Sequence, residues 1–282
     1  MRQGLTTMSA KPKHGTAIFR SIDDGVELQV RDEGNVRYLY LENDAIQSAI
    51  ILDDPAALPI AYTRYMAGAL LLNPRPRRVL LIGLGGGALV RFVQHCAPQC
   101  EIDAVEARAD VLHVAQEFFS VRPSTTLRLW HQDGADFVRQ QMVTDTHYDI
   151  IFMDAFNHRG LAAPARDARV YAACGALTRT RGMLVSNLWA SAPKEFRYCR
   201  GLAERYFPGR ITAIPVPQRG NVVVLAQHDH AVVSHTQLES RAAAIKEATG
   251  VSLNDVARSY HAHQNSLWQR LGFDKIGRVS RS

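Results

Sequence analysis

The sequence lacks the apolar segments that a membrane or a secretory pathway requires. None of its hydrophobic runs approaches the roughly 18 consecutive apolar residues needed to span a bilayer. Residues 1–16 are basic and polar and have no apolar centre of the kind found in a signal peptide. We therefore expect a cytoplasmic protein with no membrane partner.

Cysteine is also scarce, and its spacing does not suggest a metal centre. The chain has 4 cysteines in 282 residues, with no CxxC pair and no second ligand at zinc spacing. Two His-x-His pairs, which begin at His228 and His261, stand without a neighbouring cysteine or an obvious third ligand. We predict no metal site and interpret the cysteines as small core or surface residues.

Dense runs of basic residues are absent as well, although the formal net charge is +6. Lysine and arginine are scattered and do not alternate with aromatic residues, which argues against a nucleic-acid partner. With 46% hydrophobic residues the chain can bury one large core and a small accessory one.

The most informative stretch is an apolar run at 79–82 that is followed by four glycines within five residues, Gly83-Leu84-Gly85-Gly86-Gly87. Four apolar residues predict a buried parallel strand, and the glycines allow a tight turn into a helix with free N–H groups at its first turn. Glycine is required where a Cβ would block a ligand or where φ is positive. The stretch indicates a nucleotide-like ligand, although such turns also serve packing alone.

Three segments are expected along the chain: a disordered lead over 1–17, a small β domain over 18–60 and a Rossmann-like catalytic domain over 61–282. In the β domain, strands at 26–30 and 36–41 form a hairpin and a third strand follows at 46–52. A helix at 61–72 leads into the catalytic domain and must end before Pro74 and Pro76.

Strands and helices then alternate, which predicts an α/β fold with a mostly parallel sheet and helices on both faces. The strands are expected at 79–82, 101–105, 127–132, 148–153 and 183–188, and the helices at 89–96, 109–119, 135–142, 168–177 and 193–206. Strands at 211–214 and 221–226 are too close for a crossover helix and should pair antiparallel at one edge. This seven-stranded arrangement favours the adenosylmethionine-dependent transferase fold. Two more helices are expected at 234–250 and 252–272.

Acidic residues follow three neighbouring strands, at the sheet edge where such folds bind ligands. Glu106 lies about 20 residues beyond the glycine turn, where a carboxylate can hold both ribose hydroxyls. Asp133, with the N–H of Gly134, could read an adenine edge or merely cap the next helix. Asp154 faces the expected position of the ligand's reacting end.

Taken in order, the glycine turn, Glu106, Asp133-Gly134 and the run Tyr148-Asp149-Ile150-Ile151-Phe152-Met153-Asp154 resemble the spermidine synthases, the polyamine aminopropyltransferases. The similarity covers roughly 25–226 and is greatest to the divergent bacterial branch called spermidine synthase-like. It implies transfer of an aminopropyl group from decarboxylated S-adenosylmethionine, a co-substrate rather than a tightly bound cofactor, to putrescine, with release of methylthioadenosine.

The resemblance also implies roles for individual residues. Asp154 would be the catalytic acid/base, and the loop at 155–167 would close over the substrates. The nucleoside site would comprise Gly83, Gly85, Gly87, Glu106, Asp133 and Gly134. The amine site would comprise Tyr62, Gln47 and Asn157.

Two carboxylates usual in that family are missing. In that family the glycine turn normally carries an aspartate at the position of Gly86, which holds the donor's amino group. A second aspartate normally stands three residues after the catalytic one, at the position of Asn157. A tyrosine usual before the last strand is also absent from 215–219. The nucleoside half of the site therefore looks intact, whereas the polyamine half does not.

Four functions consequently stay open. The first is an aminopropyltransferase, with putrescine or a related small-molecule amine as acceptor. The second is a methyltransferase that uses S-adenosylmethionine, and the third is a nucleoside-binding protein without turnover. A nicotinamide dehydrogenase is the fourth, since Gly83-x-Gly85-x-x-Ala88 with Glu106 also fits a dinucleotide fingerprint. The edges of the small β unit need covering, which favours a homodimer.

Overall fold

The computed structural model describes residues 14–41, 46–157 and 160–264, and the side chains of residues 156–161 lie outside this description. Asn157 is therefore described in its backbone alone. The expected lead over 1–17 falls mainly outside the described residues, as does the expected end of the last helix near residue 272. Among the described helices, none is both long enough and apolar enough to cross a membrane.

A four-stranded antiparallel unit precedes the main sheet, with its strands in sequence order. It consists of β1 (Thr16–Asp23), β2 (Val26–Glu33), β3 (Val36–Leu41) and β4 (Ile46–Ile51). The alternating apolar residues of β2 are buried against the helix Ala109–Phe118 and form a separate small core. Strand β1 was not expected from the sequence, because this edge strand is mostly exposed and has no clear apolar alternation.

The main sheet has seven strands, which are β5 (Arg78–Ile82), β6 (Glu101–Glu106), β7 (Leu127–His131), β8 (Tyr148–Met153), β11 (Thr178–Trp189), β12 (Ile211–Pro215) and β13 (Asn221–Gln227). Their order across the sheet is β12-β13-β11-β8-β5-β6-β7. Strand β13 pairs antiparallel with both β11 and β12. The predicted fold class is confirmed, and the reversed strand lies one position in from the edge.

Helices cover both faces of this sheet, and the apolar residues of each central strand alternate between two cores. The helices are α1 (Ala61–Ala67), α2 (Ala69–Leu72), α3 (Ala88–Cys96), α4 (Ala109–Phe118), α5 (Gly134–Gln141), α6 (Ala168–Leu177), α7 (Pro193–Tyr206), α8 (His235–Thr249) and α9 (Asn254–Gln264). Helices α5, α6 and α7 lie on one face; α1, α2, α3, α8 and α9 lie on the other.

Three local features differ from the sequence-based expectation. The helix expected over 61–72 is divided at Gly68, where a Cβ would lie 2.6 Å from Val256 of α9. Strand β11 begins five residues early, at Thr178, and its pairing with β8 is irregular up to Met183. The loop after β8 contains the short strands β9 (Phe156–Asn157) and β10 (Gly160–Leu161) and a 3-10 turn (Ala163–Arg166).

Candidate functional site

A cavity of about 330 Å³ opens at the carboxyl ends of β5, β6, β7 and β8. The small β unit covers it from one side, through residues of β3 and β4 that include Gln47 and Ser48. The loop after β8 covers it from another, through Ala162, Ala163 and Pro164. The cavity therefore lies at the edge of a parallel sheet where ligands of such folds bind.

The glycine turn forms one wall of the cavity, although its glycines serve different purposes. Gly83, Gly85 and Gly87 have φ values of 92°, 52° and 70°. Gly83 and Gly85 line the cavity. Gly87 is the N-cap residue of α3, and a Cβ there would lie 2.2 Å from Val121. Gly87 is thus required for close packing of the turn rather than for contact with a ligand.

Glu106 lies at the end of β6, and backbone donors hold both of its carboxylate oxygens. Oε2 accepts the N–H of Leu84 at 3.0 Å, and Oε1 accepts the N–H of Arg108 at 3.0 Å. The guanidinium of Arg108 forms a two-pronged contact with Asp110 instead. Since a carboxylate oxygen accepts more than one hydrogen bond, Glu106 can still accept two ligand hydroxyls from a fixed position.

Of the two roles that the sequence left open for Asp133, the structure shows the helix cap. Its Oδ1 accepts the N–H groups of Ala135 at 2.8 Å and Asp136 at 3.3 Å, and so caps α5. The residue also lines the cavity beside Gly134. A Cβ on Gly134 would lie 2.5 Å from Ile82, so this glycine allows α5 to begin close to the end of β5.

Asp154 follows β8 directly, and its carboxylate is half-buried at the cavity wall. Its N–H donates to the carbonyl of Ile82 at 2.9 Å, which ties its backbone to the end of β5. Burial raises the pKa of Asp154 to about 6, the nearby charge of Glu106 acts in the same direction, and hydrogen bonds from Asn187 and Tyr62 oppose the rise. A carboxylate of this kind can exchange a proton near neutral pH.

Tyr62 of α1 lies beside that carboxylate. Its hydroxyl lies 3.2 Å from the carbonyl oxygen of Gln47 and within hydrogen-bonding reach of Asp154, so its single proton can be donated to either acceptor. Burial and the charge of Asp154 raise the pKa of Tyr62 well above its usual value. The phenol therefore stays protonated and serves as a donor. The side chain of Asn157, the third residue assigned to the amine site, lies outside the described residues.

Two asparagines that were not expected from the sequence lie next to the catalytic candidate. Asn187, near the end of β11, donates through Nδ2 to Oδ1 of Asp154 at 2.9 Å. Asn221, the first residue of β13, donates in turn to Oδ1 of Asn187 at 2.9 Å. The available signal was a polar residue near the end of a buried strand, but only the strand order shows that this strand adjoins β8.

Sequence comparisons relate this chain to known proteins. Residues 60–191 match the family model described as the spermine/spermidine synthase domain. The polyamine aminopropyltransferase of Chromobacterium violaceum is 32% identical over 201 residues, which cover 71% of this chain and 76% of that protein.

Two solved structures have the same fold. Spermidine synthase from Thermotoga maritima superposes with a TM-score of 0.67 at 15% identity, covering 91% of this chain and 88% of that one. Human methyltransferase-like protein 13, in complex with SAH, superposes with a TM-score of 0.62 at 22% identity, covering 68% and 93%. The identity to the Chromobacterium enzyme, with the family match, shows that the chain belongs to the spermine/spermidine synthase family of aminopropyltransferases and is a transferase.

Proposed function

We propose that the protein transfers the aminopropyl group of decarboxylated S-adenosylmethionine to a small primary amine such as putrescine and releases methylthioadenosine. The observation that carries the proposal is the Asp154 carboxylate, which has a pKa of about 6 and lies in the same cavity as Glu106. Membership of the aminopropyltransferase family supports the same reaction.

The nucleoside would lie along the ends of β5, β6 and β7. Glu106 would accept hydrogen bonds from the two ribose hydroxyls, and Asp133 with the N–H of Gly134 would contact the adenine edge. Gly83 and Gly85 leave room for the ligand against the backbone of the turn. This arrangement directs the sulfonium toward Asp154 and Tyr62, where the reaction takes place.

In the reaction, the amine nitrogen attacks the carbon next to the sulfonium. A C–N bond forms, the C–S bond breaks, and its electron pair returns to sulfur to give the neutral thioether. The amine must give up one proton, and Asp154 can accept it while its charge stabilises the developing ammonium. With a pKa of about 6 the carboxylate is mostly ionised at pH 7. Transfer should therefore decline as the pH falls through about 6.

Product analysis tests the proposal. The protein is incubated with decarboxylated S-adenosylmethionine and putrescine, and the products are identified by mass spectrometry. Equal amounts of methylthioadenosine and spermidine are the expected result. Absence of aminopropyl transfer to putrescine and to longer diamines and polyamines would contradict the proposal.

A second candidate, methyl transfer from S-adenosylmethionine, is favoured by the charges behind the glycine turn. Arg91 is 7% exposed and donates to the carbonyls of Gly86, Pro55 and Phe119. Among the described residues no carboxylate pairs with it, and although burial lowers its pKa to about 10, it stays charged at pH 7. Ala88, the first residue of α3, lines the cavity, so the N-terminus of this helix favours a donor tail that ends in a carboxylate, and Arg91 adds positive charge behind the turn without lining the cavity.

Calorimetric titration separates these candidates. S-adenosylmethionine, its decarboxylated form, methylthioadenosine and NAD are titrated into the protein separately. Preference for the decarboxylated donor is expected for aminopropyl transfer, and preference for S-adenosylmethionine, with formation of S-adenosylhomocysteine, for methyl transfer. Tight binding of NAD alone would favour the dehydrogenase.

Glu106→Gln should weaken binding of methylthioadenosine by about 10- to 100-fold, or about 1–3 kcal/mol. The amide presents only one acceptor oxygen, so the ribose loses a charged partner and one of the N–H groups of Leu84 and Arg108 loses its acceptor. Titration calorimetry measures the change, with a thermal melt to verify folding. Glu117→Gln is the matched control, because Glu117 lies exposed on α4 and should leave the affinity unchanged. Equal affinities for both variants would remove Glu106 from the nucleoside site.

A further inference from the structure

Asp154 lies at one end of a short series of side-chain hydrogen bonds that runs through β11 to β13. Asn187 donates to Oδ1 of Asp154, and Asn221 donates to Oδ1 of Asn187, both at 2.9 Å. Asn187 is 3% exposed, so its amide has little access to solvent. The other end of this series is Asn221, the first residue after the turn between β12 and β13.

The register of the sheet explains why these three side chains meet. Strands β8 and β11 run parallel with Met153 beside Ser186, so the next residue on each strand, Asp154 and Asn187, comes at the same level. On the other side, Asn187 pairs with Val223 of antiparallel β13. Asn221 lies two residues before Val223 and therefore on the same face as Asn187.

The amide of Asn187 has only one orientation that satisfies both neighbours. Its oxygen must accept from Nδ2 of Asn221, which directs its own NH₂ group toward Asp154. If the amide were reversed, its oxygen would face the carboxylate and its NH₂ group would face another NH₂ group. With Asn221 donating to its oxygen, Asn187 is held in the orientation that donates to Asp154.

We propose that Asn187 is a positioning residue that holds Oδ1 of Asp154 and leaves Oδ2 to meet the incoming amine, and that Asn221 fixes the orientation of Asn187. The inference rests on the proposed function for its catalytic meaning. An amide is suited to this task because it does not titrate, so that it donates in the same direction whether Asp154 is ionised or has taken the proton.

Removal of Asn187 should also change how Asp154 titrates. Among the described residues, the titratable groups that face Asp154 are Tyr62 from α1 and Glu106 from the end of β6. Burial and Glu106 favour the neutral carboxyl, whereas Asn187 and Tyr62 stabilise the ionised form. Without the Asn187 donor, the pKa of Asp154 should rise above about 6.

The test compares Asn187→Leu with the wild type. Leucine is close to asparagine in size and cannot donate, so kcat for transfer at pH 7 should fall about 10- to 100-fold and the acidic limb of the pH–rate profile should move up by about one unit. Affinity for methylthioadenosine should stay the same. Leu188→Val is the control, since it perturbs the same strand within the opposite core and should leave the pH profile unchanged.

A second measurement does not depend on turnover. The titration of the Asp154 carboxyl group is followed by ¹³C NMR of protein that contains labelled aspartate. Its signal is assigned as the one that is missing from the spectrum of Asp154→Asn. Asn187→Leu should raise the titration midpoint by about one unit, and Asn221→Leu should raise it less. If the wild type transfers no group, the proposed function fails, yet this titration still tests the contact. If Asn187→Leu does not fold, the same titration of Asn221→Leu, a change at a half-buried position, tests the proposal instead. An unchanged midpoint in the folded variant would overturn the proposal.

Discussion

Asp154→Asn is expected to lower kcat for aminopropyl transfer by about 10²- to 10⁴-fold, the range for a positioned acid or base. The amide keeps the size of the carboxylate but neither accepts the proton nor carries a charge to stabilise the new ammonium. It also presents either its NH₂ group or its oxygen to Asn187, so the contact with Nδ2 of Asn187 holds in only one of two orientations. Single-turnover rates at saturating donor isolate the chemical step from binding.

The same variant should bind methylthioadenosine as the wild type does, because that product lacks the aminopropyl group next to which the carboxylate lies. Asp136→Asn is the matched control, since Asp136 pairs with Arg139 on the exposed surface of α5. That control should keep its full rate. An Asp154→Asn protein that transfers the aminopropyl group at the wild-type rate would eliminate Asp154 as the base, and with it the main support for the proposed reaction.

The central strands and the helices between them could be predicted because their periodicity is unambiguous. The strand over 148–153 and the helices over 168–177 and 193–206 agree with β8, α6 and α7 residue for residue. In each, apolar runs or a helical spacing coincide with burial in the two cores. The exposed edge strand β1 carries no such pattern, since pairing with β2 rather than burial stabilises it.

The strand-end carboxylates were also predictable, because a parallel sheet brings the residues after its strands to one edge. The structure places Glu106, Asp133 and Asp154 together around one cavity. Asn187 and Asn221 were not predictable in the same way. Their contact depends on the order β13-β11-β8 and on the register of both pairings, neither of which local sequence encodes.

Gly86 shows how structure changes the meaning of a sequence difference. The sequence shows only that a side chain is missing at this position. In the structure, a Cβ on Gly86 would lie 2.7 Å from the hydroxyl of Ser48 and 2.9 Å from the ring of Phe119. The small β unit therefore packs against the space that an aspartate there would need. Restoring that carboxylate therefore requires that both Ser48 and the ring of Phe119 give way, in addition to the change at Gly86.

Gly83→Ala is expected to lower the free energy of unfolding by about 2–4 kcal/mol. Gly83 has φ of 92°, and a Cβ there would lie 2.4 Å from the carbonyl oxygen of Asp154. Neither backbone can withdraw easily. The N–H of Gly83 donates to Val105 and that of Asp154 donates to Ile82, both at 2.9 Å.

Gly201→Ala provides the matched control for Gly83→Ala, because Gly201 lies exposed within α7 with no atom within 4 Å of a new Cβ. Alanine there should raise stability by about 0.5–1 kcal/mol, since it limits the unfolded chain and favours the helix. Urea unfolding of both variants measures the two effects. The clash at Gly83 should also displace Asp154, so the folded fraction of Gly83→Ala should transfer the aminopropyl group more slowly, whereas Gly201→Ala should keep the wild-type rate. Equal stabilities for the two variants would contradict the tight approach of the glycine turn to Asp154.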